Sequence, residues 1–224
     1  MGEFKPFLSL SAGAVRELRG RIEKSEYLGR YWEETVLPGL ALEAGGRPPD
    51  LRVESPAASA IRMAFAWRLT GEDAYAEIAR EKLGGIPDDV PESVLKGGSR
   101  IIQLVTALSW LREWPGLTRE TLARIESLVA GITETMASYL CPELFGRLEV
   151  NRGENWDSQV IAGLGIAACC LTQHPRRSEW LRQAEMSAAA WLGRRAEDGA
   201  LCEGTINYQL YALGNMTRLA DALR

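Results

Sequence analysis

Apolar side chains recur along this chain at helical spacing. Leu122, Ile125, Leu128, Val129, Ile132, Met136, Tyr139 and Leu140 follow one another mostly three or four positions apart, the period that lines one face of an α-helix. Leu104, Val105, Leu108 and Leu111 repeat the pattern. So do Val160, Ile161, Leu164, Ala168 and Leu171, and then Trp180, Leu181, Ala184, Ala188, Trp191 and Leu192. Strand-like alternation is nearly absent, so the expected fold class is all-α.

Start and stop residues set the expected boundaries. Ser55-Pro56 opens a helix over about 56–69, because proline is preorganised for the first helical position. A second helix follows the Thr70-Gly71-Glu72 turn, over about 73–83. Ser99 is read as the cap of a helix over about 100–113, which Trp114-Pro115-Gly116 closes. Thr118 caps 119–140, Asn155 caps 156–172 and Ser178 caps 179–195. A last helix covers about 205–223, and one or two more lie between 12 and 42.

These helices come in pairs whose first members begin near 56, 100, 156 and 206, a repeat of roughly 45–55 residues. The first members are rich in small residues, as in Ile161-Ala162-Gly163-Leu164-Gly165, and read as inner helices that are apolar nearly all round. The second members carry charge on one face and read as outer helices. Alternating inner and outer helices predict an incomplete (α/α) toroid of antiparallel hairpins, forming one domain over 1–224, with the first 54 residues the least constrained part.

Composition removes several function classes. Of 224 residues, 46% are hydrophobic and 25% charged, so a disordered chain is excluded. No run approaches the roughly 20 apolar residues of a membrane span, and no membrane partner is expected. The first residues lack the apolar core of a signal peptide, so the expected location is the cytoplasm, or an exported compartment after processing. With 26 Lys and Arg against 30 Asp and Glu, nucleic acid is not an expected partner. The four cysteines have no C-x-x-C spacing and His174 is the only histidine. Neither a zinc site nor a serine–histidine triad is expected, and no metal or cofactor.

The unusual polar residues gather at the starts of first-member helices. Arg100 follows Lys96-Gly97-Gly98-Ser99. Asn155 and Trp156 follow Asn151-Arg152-Gly153-Glu154. Tyr208 and Tyr211 follow Asp198 to Gly204. If those helices run parallel, their N-termini share one rim, where free N–H groups and the positive dipole end favour an anion. Arg100, Arg147 and Arg152 would add charge there.

Gly153-Glu154-Asn155-Trp156, an inner helix, and then Asp198-Gly199-Ala200-Leu201-Cys202-Glu203-Gly204-Thr205-Ile206-Asn207-Tyr208 resemble the toroid domain of heparinase II/III-type polysaccharide lyases. The family pattern is approximately Asn-Asn-Trp and, some fifty residues on, Asp-Gly-x-x-x-Glu-x-x-x-x-Tyr. The resemblance implies β-elimination on a uronic-acid glycan, with an acidic polysaccharide or oligosaccharide as partner. The C5 proton is taken and the C4 oxygen leaves, which requires neutralising the sugar carboxylate, a base and an acid. It also implies that Asn155 binds the carboxylate, that Tyr208 moves the proton and that Glu203 supports it. Arg100, Arg152, Trp156 and Tyr211 are the accompanying substrate-binding candidates.

The sequence departs from the family at Glu154, where a first Asn is usual, and at Ala162, where some members carry a polar residue. The family's β-sandwich domain, which brings a catalytic histidine, is expected outside this chain. Residues 1–224 alone are therefore expected to be inactive. An α/α-toroid glycoside hydrolase is the first alternative, with Asp157, Asp198 and Glu203 as its only well-placed carboxylate candidates. A non-catalytic helical scaffold or carbohydrate-binding remnant is the second. The same residues also have purely structural readings. Asn155 is a helix cap, Tyr208 a core aromatic and Trp156 a packing residue. Arg100 and Arg152 are solvated or paired with Glu, and Glu203 is a first-turn acid.

Overall fold

The structure, a computed structural model, describes residues 11–45, 55–89, 93–140, 155–193 and 205–224. Every regular element among them is helical. In chain order they are α1 (Ala12–Lys24), α2 (Glu26–Tyr31), a π-helical segment (Trp32–Val36), α3 (Leu37–Ala44), α4 (Pro56–Thr70), α5 (Asp73–Gly84), α6 (Val94–Leu111), α7 (Arg119–Tyr139), α8 (Asn155–Cys170), α9 (Arg177–Leu192) and α10 (Ile206–Leu223). The all-α class is as expected. The chain divides into two compact units, which are described separately. One comprises Ser9–Pro87 with Thr106–Ala123, and the other Asp88–Val105 with Arg124–Arg224.

In the first unit Ser11 caps α1 by accepting from the N–H of Ala14, and Ser55 caps α4 through the N–H of Ala58. The α2 helix runs into the π segment, where the N–H of Leu37 bonds the carbonyl of Trp32, five residues back. Pro38 follows directly and has no N–H for the ordinary ladder. A widened turn just ahead of the ring relieves its clash with the preceding turn. Gly71 ends α4 at φ 79°, in the left-handed region, and its N–H returns to the carbonyl of Trp67. This is a glycine C-terminal cap. The hairpin α4–α5 then closes through small residues, Ala60, Ala64, Ala76 and Ala79, all fully buried. The indole N–H of Trp67 donates to Asp73 at 3.2 Å across the turn, and Phe65 packs on Trp110 with ring centroids 5.6 Å apart.

The second unit is built around α8, in which Trp156, Asp157 and Cys169 are the only residues not buried. Its surroundings are α9, α10 and the parts of α6 and α7 that belong to this unit. The helix is thus buried nearly all round. Close approach depends on glycine. A Cβ on Gly98 of α6 would lie 2.7 Å from the carbonyl oxygen of Gln159, and one on Gly163 would lie 2.8 Å from the Cα of Gly98. A Cβ on Gly97 would sit 3.0 Å from Ile132 of α7. Gln183 of α9 donates to the carbonyls of Ala137 and Leu140 at 3.2 and 3.4 Å, which serves the open end of α7.

Three expectations are corrected. The helix placed at 100–113 begins at Val94, so Lys96-Gly97-Gly98-Ser99 lies inside it and Ser99 is not its cap. Two glycines normally disfavour a helix by about 1 kcal/mol each, but here they are the contact surface for α7 and α8. The helix placed at 179–195 spans 177–192, and Ser178 lies within it. Its start is served instead by His174, whose Nδ1 accepts from the N–H of Arg176 at 3.3 Å and whose ring stacks on Trp180. Finally, α10 is not apolar all round in a buried setting. Ile206, Leu210 and Leu213 are 72%, 60% and 61% exposed.

Candidate functional site

The N-terminal half of α8 faces α10 through polar groups. The phenol of Tyr211 donates to Oε1 of Gln159. The Asn215 amide donates to Oγ of Ser158 at 3.1 Å, and that hydroxyl donates to the main-chain carbonyl of Asn155. Arg218 completes the row by donating to Oδ1 of Asn215 at 3.3 Å. Ser158 and Asn215 are buried. The buried members of this row, Ser158, Gln159 and Asn215, are tolerated in the interface because they are hydrogen-bonded, and the row fixes the register of the two helices.

That register gives the helices' direction. Gln159 meets Tyr211 near both starts, and Gly165 lies against Leu219 further along both. The two helices therefore run parallel, with their N-termini at the same end. Gly98, near the start of α6, crosses α8 at Gln159 and Gly163. Gly98 in the second turn of α6 therefore lies against the first half of α8.

The individual side chains divide into two groups. Trp156 and Tyr208 are 56% and 49% exposed, which sets aside the packing reading of the first and the core reading of the second. The N–H of Tyr208 is held by the Thr205 hydroxyl, the cap of α10. Tyr211 is 43% exposed, but its hydroxyl is engaged by Gln159. Burial pushes its phenol above the ordinary tyrosine value, while a hydrogen bond with Asn215 and the charge of Arg218 act in the opposite direction. It is held protonated as a donor. Asn155 begins α8 and is only 4% exposed.

Arg100 is corrected as a rim cation. It sits in the second turn of α6, not at a helix start, because that helix begins six residues earlier. Its guanidinium donates to the carbonyl and the carboxylate of Asp89 at 2.9 and 3.3 Å. Arg100 is thus ion-paired, with Asp89 rather than with a glutamate. Arg152 and Glu203 lie outside the described residues, as do Arg147, Glu154 and Asp198.

No protein-family model matches the sequence, and no curated protein is significantly similar to it.

Gln159, Ser158 and Asn215 are the residues that sequence reading missed. Their signal was present: three amides and hydroxyls within runs that are otherwise apolar or small. Among the described residues no group of three or more His, Cys, Asp and Glu is placed to hold a metal ion. No described helix is long and apolar enough to cross a membrane.

Proposed function

We propose that this chain is the helical, toroid-type domain of a polysaccharide lyase of the heparinase II/III kind, acting on a uronic-acid glycan by β-elimination. The observation that carries the reading is the exposure of two aromatics, Trp156 and Tyr208, on the first turns of parallel, adjacent helices. Flat aromatic faces with a polar edge suit a sugar ring, and a phenol at that place can move a proton. Tyr208 is the proton-transfer residue and Trp156 a sugar platform. Tyr211 holds Gln159 and thereby the spacing of α8 and α10. Asn155 would meet the sugar carboxylate at the N-terminus of α8, where the helix dipole also favours an anion. Arg152 and Glu203 retain the roles implied by the family pattern. A β-sandwich domain supplied beside this chain would complete the cleft.

A second reading, a carbohydrate-binding module without catalysis, is favoured by the burial of Asn155 and the engagement of Arg100 with Asp89. Titration of the chain with a series of uronic-acid polysaccharides, together with ultraviolet detection of unsaturated product, separates the two. Binding that weakens in Trp156→Ala supports both. Unsaturated product, with or without an added β-sandwich domain, that disappears in a folded Tyr208→Phe variant supports the lyase. Binding without product in any combination leaves the module. Absence of binding to every acidic glycan removes both readings.

A further inference from the structure

The α10 helix has two opposite sides of different character. One side, with Ala212, Asn215 and Leu219, is buried, and its polar row and Leu219 meet α8. On the other side Ile206, Leu210 and Leu213 fall within an arc of about 60° at 100° per residue, and all three are largely exposed. Thr217 and Ala220, also exposed, continue the line. A helix packed on one side with an apolar stripe on the other suits a place between two layers, yet no described helix of this unit covers the outer stripe.

We propose that this outer stripe is a self-association surface, on which two copies of the chain pair their α10 helices antiparallel about a two-fold axis. Three observations select a second copy. First, the stripe is self-complementary. Antiparallel pairing centred near Leu210 sets Leu210 beside its own symmetry mate and Ile206 against Leu213, which is the isologous arrangement of a closed dimer. Second, from Gly204 to Thr217 the sequence has no charged side chain. Two copies of a chain with net charge −4 would repel at most surfaces but meet no like charge here. Third, the stripe offers on the order of 400 Å² of apolar surface per copy, within the range of functional patches. The pair would bury about 800 Å² in total, which corresponds to a weak, concentration-dependent dimer rather than an obligate one. The surface is separate from the Gln159–Tyr211 contact, so the proposal does not rest on the lyase reading.

Sedimentation equilibrium of the whole chain from micromolar to sub-millimolar concentration tests this, with Leu210→Glu and Leu210→Lys as variants at an exposed position. The apparent mass should rise from 24.7 kDa toward twice that value in the wild type. Each variant alone should stay at the monomer mass, since two like charges would meet on the axis. An equimolar mixture of the two should regain the dimer. Circular dichroism melts should show both variants folded. A wild type that remains monomeric throughout overturns the proposal and leaves the stripe to a different chain. Dimerisation that survives Leu210→Glu, or a mixture that stays monomeric, overturns the antiparallel pairing at this face.

Discussion

Replacing Gly98 by alanine should destabilise this protein, although the same exchange in an ordinary helix stabilises it. The intrinsic term favours alanine by about 0.8–1 kcal/mol at a helix interior. Against it stands the geometry of the α6–α8 crossing. The new Cβ would lie 2.7 Å from the carbonyl oxygen of Gln159, 3.1 Å from its carbon and 3.3 Å from the Cα of Val160. All three are main-chain atoms, so no side chain can rotate away and the helices must separate. Overpacking of this kind costs roughly 1–3 kcal/mol and occasionally more. The net expectation is a loss of about 0.5–2 kcal/mol, a lowering of the melting temperature by a few degrees for a chain of this size. Gly20 of α1 is the internal control, since a Cβ there meets nothing within 4 Å. Gly20→Ala should raise stability by about 0.5–1 kcal/mol. Urea titrations of both variants beside the wild type measure the difference. A Gly98→Ala protein as stable as the wild type would show that the crossing is looser than described and that glycine is not what sets it.

Gly71→Ala should cost about 1 kcal/mol in the same assay, because alanine is strained at φ 79°; an unchanged midpoint would mean the cap rearranges freely. Tyr211→Phe should cost about 0.5–1.5 kcal/mol by removing the hydrogen bond that its phenol donates to Gln159. The folded protein holds the Tyr211 phenol above its ordinary value near 10, so the stability tied to its neutral form is complete below that pH and is lost as pH rises through the folded value. Alkaline melts should therefore fall less steeply for Tyr211→Phe than for the wild type. Glu179 shows the opposite sign. The hydrogen bond from Arg176 lowers its value, so its contribution is present above the ordinary glutamate range and disappears as pH falls through the folded value. The stability gap between wild type and Glu179→Gln should close in acid, and in high salt because the pair is exposed.

The sequence carried the helical class and most boundaries because apolar periodicity and caps are local properties. Pro56, Thr118 and Thr205 mark helix starts through chemistry visible within four residues. Gly97 and Gly98 misled for the same reason. Read locally they break a helix, whereas their contacts with Ile132 and Gln159 come from more than thirty residues away. Ser178 was a plausible cap, but the ring of His174, seated on Trp180, accepts the leading N–H instead. The site was legible in part. Parallel starts of α8 and α10 followed from the hairpin repeat. The polar row of Ser158, Gln159, Tyr211 and Asn215 did not, because sequence shows polar residues without showing which of them meet. Arg100 illustrates the converse: its charge was visible, but its commitment to Asp89 was not.

The central position of α8 has a consequence for how this chain is made. Its partners in α6 and α7 are synthesised before it, but α9 and α10 follow it. At about 5–20 residues per second, several seconds pass between emergence of the sixteen residues of α8 and arrival of the helices that cover them. During that interval the ribosome presents Val160, Ile161, Leu164 and Ile166 on a segment whose only charged residue is Asp157. The nascent C-terminal unit is therefore a natural client for chaperones that bind exposed apolar helices, and a pause in translation after residue 170 would prolong the time it spends in that state.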